Sequence, residues 1–290
     1  NRAGFYLMYE KTSLTPPRYR KFTALALSVA AIILCLSSNV SAKERVIILV
    51  PAAADVLNRL NAADLVVGVT NSVTEFPAAQ RIGTHRAPEI ETIAALKPTL
   101  LITTAEFDPA LAVRLNAQRF VYAPQDLGDI TAAVRALAVR LNREHEGTAL
   151  AEYITSLQKQ IQPLESAPTV LYEVRSEPLS VAGSNSIIRD LLEKAGLRYA
   201  HTGTSGLISV EYLLAHQPDY YIYQVGPMNK NPTPPRERPG WADLKSCVWR
   251  VDELEFARPN IQPFETLLKL NKTLHSNDPC LEGRRIFNDE

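Results

Sequence analysis

The sequence has no surplus of either charge: 31 basic side chains face 31 acidic ones. The basic patch that nucleic acid demands is missing, so no nucleic-acid partner is expected. Its five histidines, His85, His145, His201, His216 and His275, are dispersed along the chain. That spread argues against a zinc or manganese site, which needs several ligands converging on one ion. A G-x-S-x-G nucleophile elbow is also missing. Gly183-Ser184-Asn185 lacks the pattern and Gly203-Thr204-Ser205-Gly206 has the wrong spacing. Glycine loops of the kind that cradle phosphates do not occur. No enzymatic activity and no cofactor are therefore expected.

Long apolar runs are scarce as well. The uninterrupted stretch Phe22 to Leu36 (FTALALSVAAIILCL) falls short of the roughly 20 residues needed to span a bilayer. It follows the basic residues Arg18, Arg20 and Lys21 and precedes Val40-Ser41-Ala42. A basic segment, a short apolar segment and a small-x-small site describe a secretory signal peptide over residues 1–42, cleaved on export. An uncleaved N-terminal anchor is the alternative. Cys35 follows Leu34 rather than a small residue, which speaks against lipid attachment there. Residues 1–7 precede Met8, so a second start is open that leaves them untranslated. Cleavage removes five basic residues and one acidic one from the 31 of each, leaving 26 and 30 and a net charge of about −4. With 46% hydrophobic residues, the mature chain from Lys43 to Glu290 can bury a sizeable core. Of three cysteines only Cys247 and Cys280 remain in it. In an oxidising compartment they are free to pair, with two unpaired thiols the alternative.

Strand-like and helix-like segments alternate after the signal. Arg45 to Val50 (RVIILV), Leu65 to Val69, Leu100 to Thr103 and Phe120 to Tyr122 read as buried strands. Ala54 to Leu60 and Glu89 to Leu96 read as helices between them. From Ile130 to about Ile161 apolar residues recur at helical spacing, which predicts one long helix, with a break expected near Gly147. A second set follows: strands at Thr169 to Val174, Tyr220 to Tyr223 and Trp249 to Val251, and helices at Ser186 to Ala195, Val210 to Ala215 and Phe264 to Leu274. The expected fold class is α/β, with two Rossmann-like lobes joined by one long backbone helix. The expected bounds are 43–128 for the first lobe, 129–163 for the spine, 164–278 for the second lobe and 279–290 for a tail.

The most specific feature is a module that occurs once in each half. Residues 87–102 read APEIETIAALKPTLLI and residues 208–222 read ISVEYLLAHQPDYYI. Both place a glutamate, apolar helix positions, an x-Pro-x stop and a buried strand in the same order. This resembles the iron-siderophore, haem and vitamin B12 binding proteins of ABC importers, the helical-spine (class III) periplasmic binding proteins. Further stretches are similar in the same order: RVIILVP at 45–51, LVVGV at 65–69, Phe76-Pro77 with Arg81-Ile82-Gly83, Ala182-Gly183 with Leu191 to Gly196, and Ala257-Arg258-Pro259. The resemblance covers about residues 44–276.

It implies a monomeric periplasmic protein that captures a small-molecule metal chelate between its lobes and delivers it to an inner-membrane permease and ATPase complex. It also implies that Glu91 and Glu211 pair with permease arginines; exposed carboxylates at helix N-termini stay ionised cheaply and steer docking. Ordinary first-turn glutamates are the bland alternative. By family position the cleft residues are His85 and Arg86, Glu106, Arg175, Gln224 and Trp241, with Phe107 and Glu173 beside them. Imidazole can ligate iron, so His85 is the candidate metal ligand, and a guanidinium can fork onto chelate oxygens. A solvated loop histidine is the alternative for His85. The implied ligand is a ferric siderophore, with cobalamin and then haem as alternatives. A homologue turned sensor or scaffold is the second class of function.

Overall fold

In the computed structural model, residues 43–203, 206–276 and 280 are described. The expected signal segment 1–42, with Cys35, lies outside them, as do Thr204, Ser205 and the tail apart from Cys280.

Three short apolar runs, one mixed strand and one edge pair build the first sheet. Strands β1 (Val46–Ile48), β2 (Val66–Val69), β3 (Gln80–Arg81), β4 (Leu100–Thr103) and β5 (Gln118–Val121) are all parallel, in the order β3-β2-β1-β4-β5. Side chains alternate across a strand, so both faces must be apolar if both are covered. They are. Ile47 and Leu101 pack with Ile93 of α2 (Ile90–Ala95) and Ala112 of α3 (Pro109–Arg114). Val46, Ile48, Leu100 and Ile102 face the other way, toward Val56 and Leu57 of α1 (Ala52–Arg59).

The second sheet repeats the plan. Strands β6 (Thr169–Arg175), β9 (Tyr220–Val225) and β10 (Cys247–Asp252) run parallel, β8 (Arg198–Tyr199) pairs parallel with β6, and only β7 (Ser180–Val181) is antiparallel. Helices α6 (Ile187–Lys194), α7 (Val210–His216), α8 (Glu253–Phe256) and α9 (Gln262–Leu274) complete the lobe. Ser186 caps α6 by accepting from the Arg189 amide, and Ser209 caps α7 by accepting from that of Tyr212. Cys247, the first residue of β10, is disulfide-bonded to Cys280 with 5.5 Å between their Cα atoms.

The fold is thus α/β with two Rossmann-like lobes, as the sequence implies, but the connection differs in detail. The stretch expected as one long helix is two, α4 (Leu127–Arg140) and α5 (Glu144–Gln158), folded back on each other. The break falls at Leu141-Asn142-Arg143, not at Gly147. Asn142 takes a left-handed φ of 53°, where asparagine is tolerated. The Arg143 amide donates to Ala138 O at 2.8 Å and that of Asn142 to Val139 O at 3.3 Å, the two bonds of a Schellman stop. Gly147 sits where the helices touch: a Cβ there would lie 2.3 Å from Ala138 Cβ. Helix α5 then leads into the second lobe as its backbone helix.

Contacts beyond this hairpin tie the lobes. The buried Tyr122 donates its hydroxyl to Pro259 O. Asp55 accepts from the Ile261 amide at 3.3 Å, and Arg59 pairs with Glu265 at 3.1 Å. Asp190 accepts from the Leu127 amide at 2.9 Å, fixing the start of α4 to the second lobe.

Candidate functional site

In a parallel sheet ligands collect outside the carboxyl ends of the strands, where the strand order reverses. That point lies between β1 and β4 in the first sheet and between β6 and β9 in the second. Glu106, three residues past β4, and Arg175, the last residue of β6, stand at these two points and are exposed. The Glu106 carboxyl is held below its ordinary range by its own amide, then by the Thr104 hydroxyl. His85 and Arg86 form the exposed tip of a tight turn after β3. There Thr84 N donates to Ala87 O at 3.2 Å, and Gly83 takes φ 85°. Added bulk at Gly83 would meet Ala87 O at 2.7 Å, so this turn requires glycine. Among the described residues no group of three His, Cys, Asp or Glu is placed to hold an ion. A metal at His85 would have to bring most of its ligands with it.

Gln224 and Trp241, expected at the cleft, are both buried. Gln224 is fully buried: it accepts from Tyr172 Oη at 3.1 Å and donates to Val174 O at 2.9 Å. Trp241 is 5% exposed and meets the Tyr221 ring edge-on, with the Arg238 guanidinium over its own ring. The proline-rich loop turns its indole inward because Tyr221 and Arg238 offer a better surface than water does. Glu173 is also fully buried, paired with Arg238 at 2.5 Å. Tyr172 and Tyr221 belong to the core.

Two recesses lie along the strand ends. One, of about 320 Å³, is walled by Arg175 at the end of β6 with Ser176 and Glu177 beyond it, and by residues 228–233 after β9. The other, of about 490 Å³, spans the lobes. Asp55 and Glu75 line it from the first lobe, and Asp252, Glu255, Arg258 and Lys269 are among its second-lobe lining. None of the six expected cleft residues lines this interlobe recess. Its residues come from three separate stretches of the chain, and only Arg258, in the Ala257-Arg258-Pro259 stretch, belongs to a motif that the sequence singles out.

The two modules take equivalent places. Glu91 and Glu211 are each the second residue of a helix, exposed, and nine positions ahead of the strand that follows. Two residues on, Ile93 and Leu213 are both fully buried. Both helices stop at a left-handed residue, Lys97 with φ 48° and Gln217 with φ 38°, followed by a buried proline. The strands they enter, β4 and β9, pair with β1 and β6, the first strand of each lobe. The Glu211 carboxyl is held below its ordinary range by its own amide and then by the Ser209 hydroxyl.

The same architecture is found in solved structures. Heme-bound IsdE of Staphylococcus aureus aligns with a TM-score of 0.68 at 21% identity, covering 80% of this chain and 99% of that one. The apo form of the heme-binding protein RhuT from Roseiflexus sp. RS-1 gives 0.64 at 20% identity, covering 82% and 99%. The vitamin B12 binding protein BtuF of Vibrio cholerae gives 0.64 at 19% identity, covering 79% and 98%. Such identities establish a shared fold. No curated protein matches the sequence. The family model for periplasmic binding proteins matches residues 46–245, well over half of the chain. The chain belongs to the periplasmic binding protein family, whose members are transport substrate-binding proteins and not enzymes.

Proposed function

We propose that this protein is the substrate-binding component of an ABC importer, exported to the periplasm through the signal segment at 1–42. It takes up an iron chelate of the siderophore type between its lobes and hands it to the permease. The observation that carries the reading is the matched placement of Glu91 and Glu211. Two carboxylates at the same position of the same module, one per lobe, suit a partner that grips both lobes through paired cations.

The ligand reading rests on the polarity of the crevice. Of its aromatic candidates, Trp241, Tyr172 and Tyr221 are turned into the core and Phe107 is half-buried against the first sheet, which leaves little ring surface to stack on a corrin or porphyrin face. The interlobe recess carries Asp55, Glu75, Asp252, Glu255 and Glu265 against Arg258 and Lys269. Asp55 and Glu265 are already paired with Arg59, and the slight acidic excess of the rest suits a neutral or cationic ferric hydroxamate better than a highly anionic ferric catecholate. His85 and Arg86 are the residues offered to the chelate from the first lobe.

Two measurements test this. Calorimetric titration of the purified protein with ferrioxamine B, a ferric tricatecholate, haemin and cyanocobalamin should give tight binding of the hydroxamate. Tight binding of cyanocobalamin or haemin alone overturns the ligand reading and leaves the family assignment standing. Charge reversal of both glutamates (E91R, E211R) should abolish uptake in cells while leaving that binding unchanged. Uptake that survives the double change refutes docking and favours a sensor or scaffold.

A further inference from the structure

The carboxylate of Glu173, at the cleft end of β6, is fully buried and takes four hydrogen bonds. Tyr221 Oη donates at 2.5 Å, Asn229 Nδ2 at 3.1 Å, and Arg238 donates twice, from Nη1 at 2.5 Å and Nη2 at 2.9 Å. A bidentate guanidinium is the donor that best matches a carboxylate in geometry. Asn229 and Arg238 lie at opposite ends of one loop, nine positions apart. One buried carboxylate therefore closes the loop at both ends.

Each end is held by further bonds. Asn229 donates to Gln224 O at 2.9 Å and accepts from the Ser176 amide and hydroxyl at 3.0 and 3.1 Å. Arg238 Nε donates to Thr233 O within the loop at 2.7 Å, and its guanidinium lies 4.7 Å from the centre of the Trp241 ring. Between the ends stand Pro232, Pro234 and Pro235, which restrict the backbone before any contact forms. Residues 228–233 are one wall of the recess at the switch point between β6 and β9, opposite Arg175.

We propose that Glu173 and Arg238 form a buried latch that fixes the loop 229–238 and so preforms the wall that residues 228–233 give to the recess beside Arg175, making both positioning residues for ligand that neither touches. This rests on the ligand-binding reading above. A preformed wall lowers the ordering cost of binding, so loosening it weakens affinity without removing a contact. Deleting one partner would strand a buried charge and endanger folding, whereas replacing both with apolar residues leaves no unpaired charge, only the Tyr221 hydroxyl and one Asn229 N–H without their acceptor.

The informative variant is therefore the double change Glu173→Leu with Arg238→Leu, alongside R238K, which keeps the charge but loses the fork. Amide exchange is followed by mass spectrometry, and affinity by calorimetry with ferrioxamine B, haemin and cyanocobalamin. In the folded double variant, exchange across 229–238 should rise about tenfold or more while β6 and β9 stay protected. The Kd of whichever probe the unaltered protein binds should rise about tenfold, with R238K in between. Unchanged loop exchange in a folded double variant overturns the latch. Faster exchange with unchanged affinity overturns its positioning role. Should the unaltered protein bind none of the probes, the ligand reading fails by itself and the loop exchange still decides the latch.

Discussion

Gly147 allows a sharp test of the helical hairpin because two effects pull its substitution in opposite directions. Were 127–158 a single solvated helix, Gly147→Ala would stabilise it by about 1 kcal/mol through helix propensity. In the hairpin the new methyl would lie 2.3 Å from Ala138 Cβ, whereas carbons pack at about 3.5–4.0 Å. The helices must part by more than about 1 Å, and overpacking of that kind costs about 1–3 kcal/mol. Ala138 cannot rotate away, because its Cβ is fixed to the backbone, and it is only 2% exposed. Packing should win by up to about 2 kcal/mol before relaxation. For a domain of this size that lowers Tm by up to about 8 °C. Thermal and urea unfolding measure it, and Ala138→Gly in the same background should recover most of the loss, a coupling that distant sites do not show. A G147A protein with a raised Tm would refute the close crossing.

Two further perturbations address how the halves are held. Tyr122→Phe leaves the half-buried Pro259 carbonyl without its donor, so urea unfolding should show a loss of about 1 kcal/mol with no change in m. A loss below the error of the measurement would mean that water takes over the bond. Asp219 accepts from the Thr169 hydroxyl and amide, both at 2.7 Å, joining the starts of β6 and β9; these bonds, the hydroxyl first, hold its pKa below the ordinary value. A depressed folded pKa adds stability that is present above about pH 4 and is lost as pH falls through the folded value. Wild type should therefore exceed Asp219→Asn in stability at pH 7, and the gap should close on acidification below about pH 4. A gap that stays constant into strong acid contradicts this.

The central strands of the first lobe were legible because Val46–Ile48, Val66–Val69 and Leu100–Thr103 lie in short, largely apolar runs, the pattern that a sheet covered on both faces demands, whereas the two-residue strands β3, β7 and β8 carry no such run. Leu100–Thr103 is buried at all four positions and was read with its observed bounds. The break in the hairpin had a signal too. Leu60-Asn61, Leu115-Asn116 and Leu141-Asn142 each end a helix, and the three asparagines have φ of 52°, 50° and 53°. Gly147 drew attention instead, since glycine is the usual helix breaker, yet here it serves close approach. The burial of Gln224 and Trp241 is hidden from the sequence for a different reason. Position after a strand identifies the crevice but not the direction of a side chain. The partners that turn Trp241 inward, Tyr221 and Arg238, lie outside its own segment and meet it only in the fold. The interlobe recess was illegible for the same reason, being assembled from segments as distant as Asp55 and Lys269.

How far the lobes move on binding follows from what joins them. Hinge-bending proteins close about a few extended crossover residues that absorb the change in φ and ψ. Here the chain crosses through a helical hairpin whose two members are locked at Ala138 and Gly147. The C-terminal segment then returns to the first lobe through Pro259, Ile261 and Glu265. The buried side chains of both lobes also form one continuous cluster, from Val46 to Leu270. Closure would shear this packing, and packed cores deform in discrete steps rather than continuously. Ligand should therefore change the radius of gyration, about 18 Å for a domain of this length, by less than solution scattering resolves. It should instead slow amide exchange in the loops at 83–88 and 226–240. A measurable contraction on binding would show that the hairpin bends, and the cleft would then be formed by its ligand rather than waiting for it.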